Sequence, residues 1–184
     1  MLRDAAKSWV QEKSPVTAFR KMRDSGAELG YDAAAWNEMA EMGWAGVIIP
    51  EEYGGSNFGY LSLGLVLEEL GRTLTASPLL SSGLAAASAL ILGGSEAQKS
   101  EWLPKIAEGA AVGALAIDEG AHHNPEKVAA EFKGGKLSGK KTFVLEGMAA
   151  NLLVVSAKGP DGIGLYLVKA DGPGVTRHRL ALAD

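Results

Sequence analysis

VIIPEEYGG, residues 47–55, joins a short apolar run to a charged turn that ends in two glycines. Pro50 fixes its own φ and lacks an N–H donor, so the apolar run is predicted to be a short extended segment that stops there. Gly54 and Gly55 allow backbone turns that a side chain would forbid. A long apolar sequence follows, and the segment is therefore predicted to be a turn that leads into a helix.

The apolar residues on both sides of this turn recur at helical spacing. Leucines fall on nearly every side of residues 60–70, which is typical of a helix buried inside a bundle. Asp32 suits the N-cap of a helix over residues 33–42. One face of a first helix is predicted from five residues with a helical repeat: Leu2, Ala5, Ala6, Trp9 and Val10.

Two further helices are predicted downstream. Pro78 opens an apolar helix that Gly93 and Gly94 close. Ser95 and Gln98 have the spacing of a capping box, and Pro104 should kink or shorten the helix that they begin. Residues 1–110 are therefore predicted to form a helical domain.

The period of the apolar residues changes after Gly109. Short runs separated by glycine-rich turns replace the helical repeats, which favours an antiparallel, barrel-like sheet. The runs are residues 112–117, 128–132, 142–145, 152–157, 163–168 and 175–180. Helices followed by strands indicate an α+β fold with a helical domain at 1–110 and a β-rich domain at 111–184.

The composition excludes several classes of protein. The 184 residues carry a net charge of -4 and form no basic patch, so we expect no nucleic-acid binding. The chain has no cysteine, which excludes disulfides and thiolate metal sites. It shows neither a signal peptide at its start nor an apolar run of the ~20 residues that cross a bilayer. We therefore expect a cytoplasmic protein without a membrane partner.

The acidic pairs and the histidines give no strong site. Glu51-Glu52 and Glu68-Glu69 are adjacent residues, which do not share a face of a helix, so neither pair makes a catalytic dyad. His122-His123 lacks a third ligand at a fitting spacing, and we expect no metal. No dinucleotide or phosphate loop and no nucleophile elbow is present. Four aromatic residues could line a groove but are expected to pack in the core: Trp36, Trp44, Tyr53 and Phe58.

The order of several motifs resembles the acyl-CoA dehydrogenase family along nearly the whole chain. The helix at 36–44 precedes PEEYGG at 50–55 and LEELGR at 67–72. GSEAQK at 94–99 is followed by WLP at 102–104, similar to the family's G-[ST]-x-x-Q-K and [WY]-L-P strings. Several such strings in the right order make the resemblance specific.

The resemblance implies a helical N-terminal domain followed by a β-rich middle domain. It implies FAD as the cofactor and the oxidation of an acyl-CoA thioester to its 2,3-enoyl form. A glutamate would remove the α-proton while hydride passes from the β-carbon to flavin N5. It also implies an electron-transfer flavoprotein or similar electron acceptor, and a homo- or hetero-oligomer.

Two segments match motifs that the family places at the flavin. AIDEG, residues 116–120, stands where the family often has T-E-P-G, and the acidic residue matches at Glu119. KTFVLEG, residues 141–147, resembles K-x-W-I-[TS]-N-G, with Phe143 at the position of the tryptophan. Leu145 replaces a hydroxyl residue and leaves only its backbone N–H to reach N5. The cofactor-binding residues implied are Ile117, Asp118, Glu119, Phe143, Val144 and Leu145.

The family continues into a C-terminal helical domain that carries the catalytic glutamate, and this domain is absent from the 184 residues. The resemblance therefore assigns no catalytic residue here, and we expect the segment alone to be inactive and to retain FAD weakly or not at all. Two alternatives stay open: a non-catalytic partner subunit of a heteromeric acyl-CoA dehydrogenase, and an oxidase that uses oxygen as acceptor.

Overall fold

A computed structural model describes residues 1–180 of the chain. Six α-helices come first and five strands follow. The helices are α1 (Leu2–Lys13), α2 (Val16–Asp24), α3 (Ala33–Glu41), α4 (Gly59–Arg72), α5 (Ala87–Gly93) and α6 (Glu96–Ala107). The strands are β1 (Gly113–Ala116), β2 (Glu131–Lys133), β3 (Lys136–Ser138), β4 (Leu152–Gly159) and β5 (Gly162–Lys169). The predicted α+β order is confirmed.

The helices pack around one apolar core. The repeat in α1 buries Ala6, Trp9 and Val10, and α1 packs against α4. Trp9 meets Trp44 edge to face, with ring centroids 5.6 Å apart. Of the four aromatic residues expected in the core, Trp36, Trp44 and Tyr53 are buried and Phe58 is exposed. In α4 one face is buried but Leu61 is 81% exposed, so the helix does not lie inside the bundle as its composition predicts.

The segment at 47–55 folds back on itself instead of extending. It follows one 3-10 turn, Trp44–Gly46, and contains a second, Glu51–Tyr53. The residues after the turn donate backbone hydrogen bonds to those before it: Gly55 to Pro50 (3.1 Å), Ser56 to Gly46 (3.0 Å), Asn57 to Ile49 (3.0 Å) and Phe58 to Val47 (2.8 Å). The predicted extended run is wrong, because these local partners satisfy the backbone groups that a strand would offer to a sheet.

Gly55 is required where the two halves of this fold-back meet. A β-carbon at Gly55 would overlap the carbonyl oxygen of Ile49. Because the obstacle is backbone rather than a flexible side chain, it can move only by breaking the hydrogen bonds of the fold-back. Gly54 precedes it with φ +83°, a left-handed conformation that glycine adopts without strain.

We predict that Gly55→Ala lowers the free energy of unfolding by roughly 1–3 kcal/mol, the usual range for an overpacked site. Gly64→Ala is the matched control, because Gly64 is an exposed residue of α4 with open space around its α-carbon. That control should raise stability by up to ~1 kcal/mol, since alanine favours helix. Urea unfolding of both variants and of the natural sequence measures the effect. A Gly55→Ala variant as stable as the natural sequence would contradict the prediction.

Three expectations about the later helices have different outcomes. Ser95 and Gln98 form the predicted capping box, with Ser95 N–H donating to Gln98 Oε1 at 2.9 Å. Pro104 does not end α6, which continues to Ala107. The apolar helix predicted from Pro78 to Gly93 begins as a π-helix, Leu79–Ala86, before it becomes α5.

The sheet is mixed and not purely antiparallel. β4 pairs with β5 as an antiparallel hairpin, and β2 pairs with β3 in the same way. β1, however, runs parallel to β4, with Gly113 opposite Leu152, and β2 meets β4 in parallel at Glu131 and Lys158. The parallel pairs arise because a long connection separates β1 from β4, which gives the chain room for a crossover. The predicted strands at 142–145 and 175–180 are irregular.

The first strand lies directly against the helices. Gly113 N–H donates to Ser82 Oγ of the π-helix at 3.0 Å. Trp36 Nε1 donates to the carbonyl of Gly109 at 3.0 Å, and Leu152 of β4 belongs to the same core as the helices. The division at 1–110 and 111–184 therefore stays a prediction, since the two parts share a core.

Within residues 1–180, none of the helices has the length and hydropathy needed to cross a membrane.

Candidate functional site

The two segments that match the family's flavin motifs lie next to each other. Residues 117–119 leave β1, and residues 141–150 form the loop that leads into β4. Thr142 N–H donates to the carbonyl of Asp118 at 2.8 Å and joins the two. Because β1 runs parallel to β4, the end of β1 lies beside the middle of β4, where Ala116 pairs with Val155.

Glu119 is the most strongly bound side chain of this region. Its carboxylate accepts hydrogen bonds from Ala129 N–H at 2.6 Å, Ala130 N–H at 3.0 Å and Lys141 Nζ at 2.7 Å. The side chains of Lys141 and Glu119 are 8% and 15% exposed, so the ion pair is largely shielded from water. Glu119 thereby holds three separate pieces of chain together.

Lys141 completes a polar cluster under the loop. Its Nζ also donates to Ser156 Oγ at 2.8 Å and to the carbonyl of Ile117 at 3.3 Å. Ser156 lies in β4 and is buried. With Glu119, these groups use all three donors of the ammonium, so a buried lysine is fully satisfied.

The surroundings of Glu119 change its pKa. Burial alone would raise the pKa of the carboxyl, but the hydrogen bond from Lys141 and those from Ala130 and Ala129 outweigh it and lower the pKa to about 2. Glu119 is therefore a fixed anion at neutral pH. With its oxygens occupied and its proton affinity low, it cannot act as a general base.

We predict that Glu119→Gln lowers the free energy of unfolding by about 3 kcal/mol at pH 7, because it leaves Lys141 buried without a counter-charge. The folded pKa lies below the unfolded one, so this stabilisation is complete above pH ~4.5 and is lost as the pH falls towards 2. Urea unfolding at pH 7 and pH 3 should show the difference from the natural sequence shrinking in acid.

Glu126→Gln is the control for this pH series, since Glu126 is an exposed residue between β1 and β2. Its substitution should leave stability unchanged at both pH values. A difference between Glu119→Gln and the natural sequence that is the same at pH 7 and pH 3 would contradict the role given to the ion pair.

The loop that follows Lys141 carries an exposed apolar surface. Phe143 and Leu145 are 52% and 62% exposed, and Met148 is exposed beside them in sequence. Phe143 and Glu146 have φ values of +52° and +54°, an uncommon conformation for side chains of this size. Within the described part of the chain, the N–H groups of Phe143 and Leu145 donate to no protein atom. Apolar side chains beside free backbone donors suit a flat heteroaromatic ring.

The histidines lie at the edge of this surface. His123 Nδ1 is 2.8 Å from Asp118 Oδ1, and both His122 and His123 are exposed. Among residues 1–180, no three histidine or carboxylate side chains converge as a metal site would require.

Two concavities of the described chain lie elsewhere. One, of about 490 Å³, is lined by residues of α1 and by Glu69, Arg72 and Thr73. There Glu69 is buried and accepts from Arg3 Nε at 2.9 Å, so it ties α1 to α4 rather than forming a dyad with Glu68. The other, of about 270 Å³, lies between α6 and the end of β5. The candidate residues line neither of these two concavities.

Comparison with known proteins identifies the family. The N-terminal domain of acyl-CoA dehydrogenases matches residues 1–110. The chain is 35% identical to the mitochondrial isovaleryl-CoA dehydrogenase of Pongo abelii over 159 residues, which covers 78% of this chain and 37% of that protein. The chain belongs to the acyl-CoA dehydrogenase family.

Other members of the acyl-CoA dehydrogenase family show the same extent of likeness. The acyl-CoA dehydrogenase FadE27 of Mycobacterium tuberculosis is 32% identical over 84% of this chain and 41% of its own length. The ChsE4-ChsE5 complex from Mycobacterium tuberculosis superposes with a TM-score of 0.87 at 30% identity, covering 98% of this chain and 49% of that one. The chain spans less than half the length of the relatives it matches.

The structure brings together the six residues that the resemblance implied, as two neighbouring segments. It also adds residues that sequence reasoning did not single out as partners. Lys141 was noted only as the first letter of a motif, and Ser156 only as part of an apolar strand. A hydroxyl in the middle of such a strand is a signal that a buried polar group needs a partner.

Proposed function

We propose that this chain forms the helical N-terminal domain, residues 1–110, and part of the β-rich middle domain, residues 111–184, of an FAD-dependent acyl-CoA dehydrogenase. The proposed reaction is the α,β-dehydrogenation of an acyl-CoA thioester. The observation that carries the proposal is the contact between the segment at 117–119 and the loop at 141–150. An electron-transfer flavoprotein or similar acceptor, an oligomeric assembly and a cytoplasmic location belong to the same proposal.

The residues present fit FAD. Phe143 and Leu145 offer an exposed apolar surface, and their N–H groups are available as donors. The isoalloxazine would pack against Phe143, while Leu145 would contribute its backbone N–H. Ile117, Asp118, Glu119 and Val144 would complete the edge of the site. When bound, FAD supplies the hydride acceptor.

The residues of this chain would orient the cofactor and would not transfer the substrate's proton. Glu119 is held by Lys141 and has a pKa of about 2, so it fixes the loop and does not take up a proton. With FAD bound, Leu145 would offer a hydrocarbon side chain to the ring and would help to exclude water from it. We therefore propose that the acid–base chemistry of the complete enzyme comes from outside residues 1–184.

We predict that the 184-residue chain binds FAD weakly and that Phe143→Ala weakens this binding several-fold further. Equilibrium dialysis over a range of FAD concentrations measures the dissociation constants. Phe58→Ala is the matched control, because Phe58 is also an exposed phenylalanine and lies just before α4. Equal FAD affinity in both variants, or dye reduction that depends on acyl-CoA by this chain alone, would contradict the proposal.

A second candidate function is a non-catalytic partner subunit of a heteromeric acyl-CoA dehydrogenase. Leu145 in place of a hydroxyl residue supports it, and one similar structure is described as a complex of two named components, ChsE4 and ChsE5. Affinity purification of the tagged chain from its native cells distinguishes the two candidates. A partner subunit should bring with it a longer chain of the same family in fixed ratio, whereas a segment of one enzyme should not.

A further inference from the structure

We propose that Arg177 is a positioning residue that fixes the loop at 141–150 and thereby sets the orientation of Phe143 and Leu145. The inference rests on the proposed function, since it assigns Arg177 to the support of the same flavin-facing surface. Arg177 lies on the irregular segment after β5, well after the loop in sequence. It was not among the residues that the motifs indicated.

A single nitrogen of Arg177 makes three contacts with the loop. Nη1 donates to the carbonyl oxygens of Met148 at 2.8 Å, Ala150 at 3.1 Å and Gly147 at 3.2 Å. Three carbonyl dipoles that point at one place repel one another unless a cation lies between them. The guanidinium cation of Arg177 lies between them, and because Nη1 carries two hydrogens, at least one hydrogen is shared between two of the carbonyls.

The loop needs such a support because its own hydrogen bonds are few. Between its ends it forms two short turns, Gly147 N–H to Val144 and Ala149 N–H to Glu146, at 3.1 and 3.0 Å. Phe143 and Glu146 both have positive φ, which is costly for residues with a β-carbon. Residues in such conformations persist when their surroundings hold them there.

The two ends of the loop are held by other groups, which leaves its C-terminal half to Arg177. At the start, Thr142 N–H donates to Asp118 and Lys141 binds Glu119. At the end, the side chain of Asn151 accepts from Val112 N–H at 2.8 Å. Arg177 binds carbonyls of residues that lie between these two anchors in the chain.

Arg179 offers a matched control on the same segment. Its Nη2 donates to the carbonyls of Ala27 and Glu28 at 2.9 and 2.8 Å, far from the loop in sequence. Arg177→Met and Arg179→Met therefore remove the same charge and a comparable set of bonds. Arg177→Lys keeps a cation with several donors and serves as the conservative variant.

Hydrogen exchange of the 184-residue chain without cofactor tests the positioning role directly. In Arg177→Met, we expect the amides of Gly147 and Ala149 to exchange about tenfold faster or more, as the loss of hydrogen bonds from a charged donor predicts. Amides of the core, such as Leu63 and Val154, should keep their rates. Arg179→Met should leave the loop unchanged, and Arg177→Lys should restore much of its protection.

FAD affinity supplies the second readout. Arg177→Met should weaken FAD binding several-fold, and combining it with Phe143→Ala should add little, because both act through the same surface. Unchanged exchange in the loop of Arg177→Met, or uniform acceleration of all amides, would overturn the positioning role. Faster exchange in the loop with unchanged FAD affinity would also overturn it as support for a flavin site. If the natural sequence binds no FAD, the exchange rates alone decide the positioning role: faster exchange confined to the loop supports it, and unchanged exchange overturns it.

Discussion

The buried pair of Lys141 and Glu119 is the interaction on which the β-rich half depends. Its two charges join the end of β1, the approach to β2, the middle of β4 through Ser156, and the loop before β4. These pieces are distant in sequence, and their polar groups would be costly to bury without partners. The cost of removing the two charges from water is offset by hydrogen bonds, since every donor of the lysine and both carboxylate oxygens are used. The loop with exposed Phe143 and Leu145 starts from this polar cluster, because Lys141 is its first residue.

The helical half supports this arrangement through close backbone approaches. β1 reaches the π-helix only because Gly113 has no side chain: a β-carbon there would come within 2.5 Å of Ala86 Cβ. Ser82 then accepts from Gly113 N–H, which gives a buried donor its partner. The fold-back at 47–55 uses the same device at Gly55. Gly113 packs against the β-carbon of Ala86 and Gly55 against the backbone of Ile49, and close packing at both places tolerates little change in volume.

Local signals predicted the helical half well and the β-rich half only in part. Asp32 and the pair Ser95 and Gln98 cap their helices as expected, because capping depends on neighbouring residues alone. The apolar runs at 142–145 and 175–180 have the composition of strands, but one carries an exposed surface and the other carries Arg177. Which of these runs joins the sheet depends on contacts that are remote in sequence. The parallel pairing of β1 with β4 and the partners of Lys141 could not be read from spacing for the same reason.

All four tryptophans, at positions 9, 36, 44 and 102, belong to the helical half, and the chain after Gly109 contains none. Tryptophan fluorescence therefore reports only on the helical half, which matches the family's N-terminal domain. The edge-to-face pair of Trp9 and Trp44 makes that emission sensitive to the packing of α1 against the 3-10 turn that precedes the fold-back. Melting curves recorded by fluorescence and by far-ultraviolet dichroism would coincide only if the sheet comes apart together with the helices. Because all tryptophans lie in one half, comparing the two melting curves tests whether the two halves unfold cooperatively.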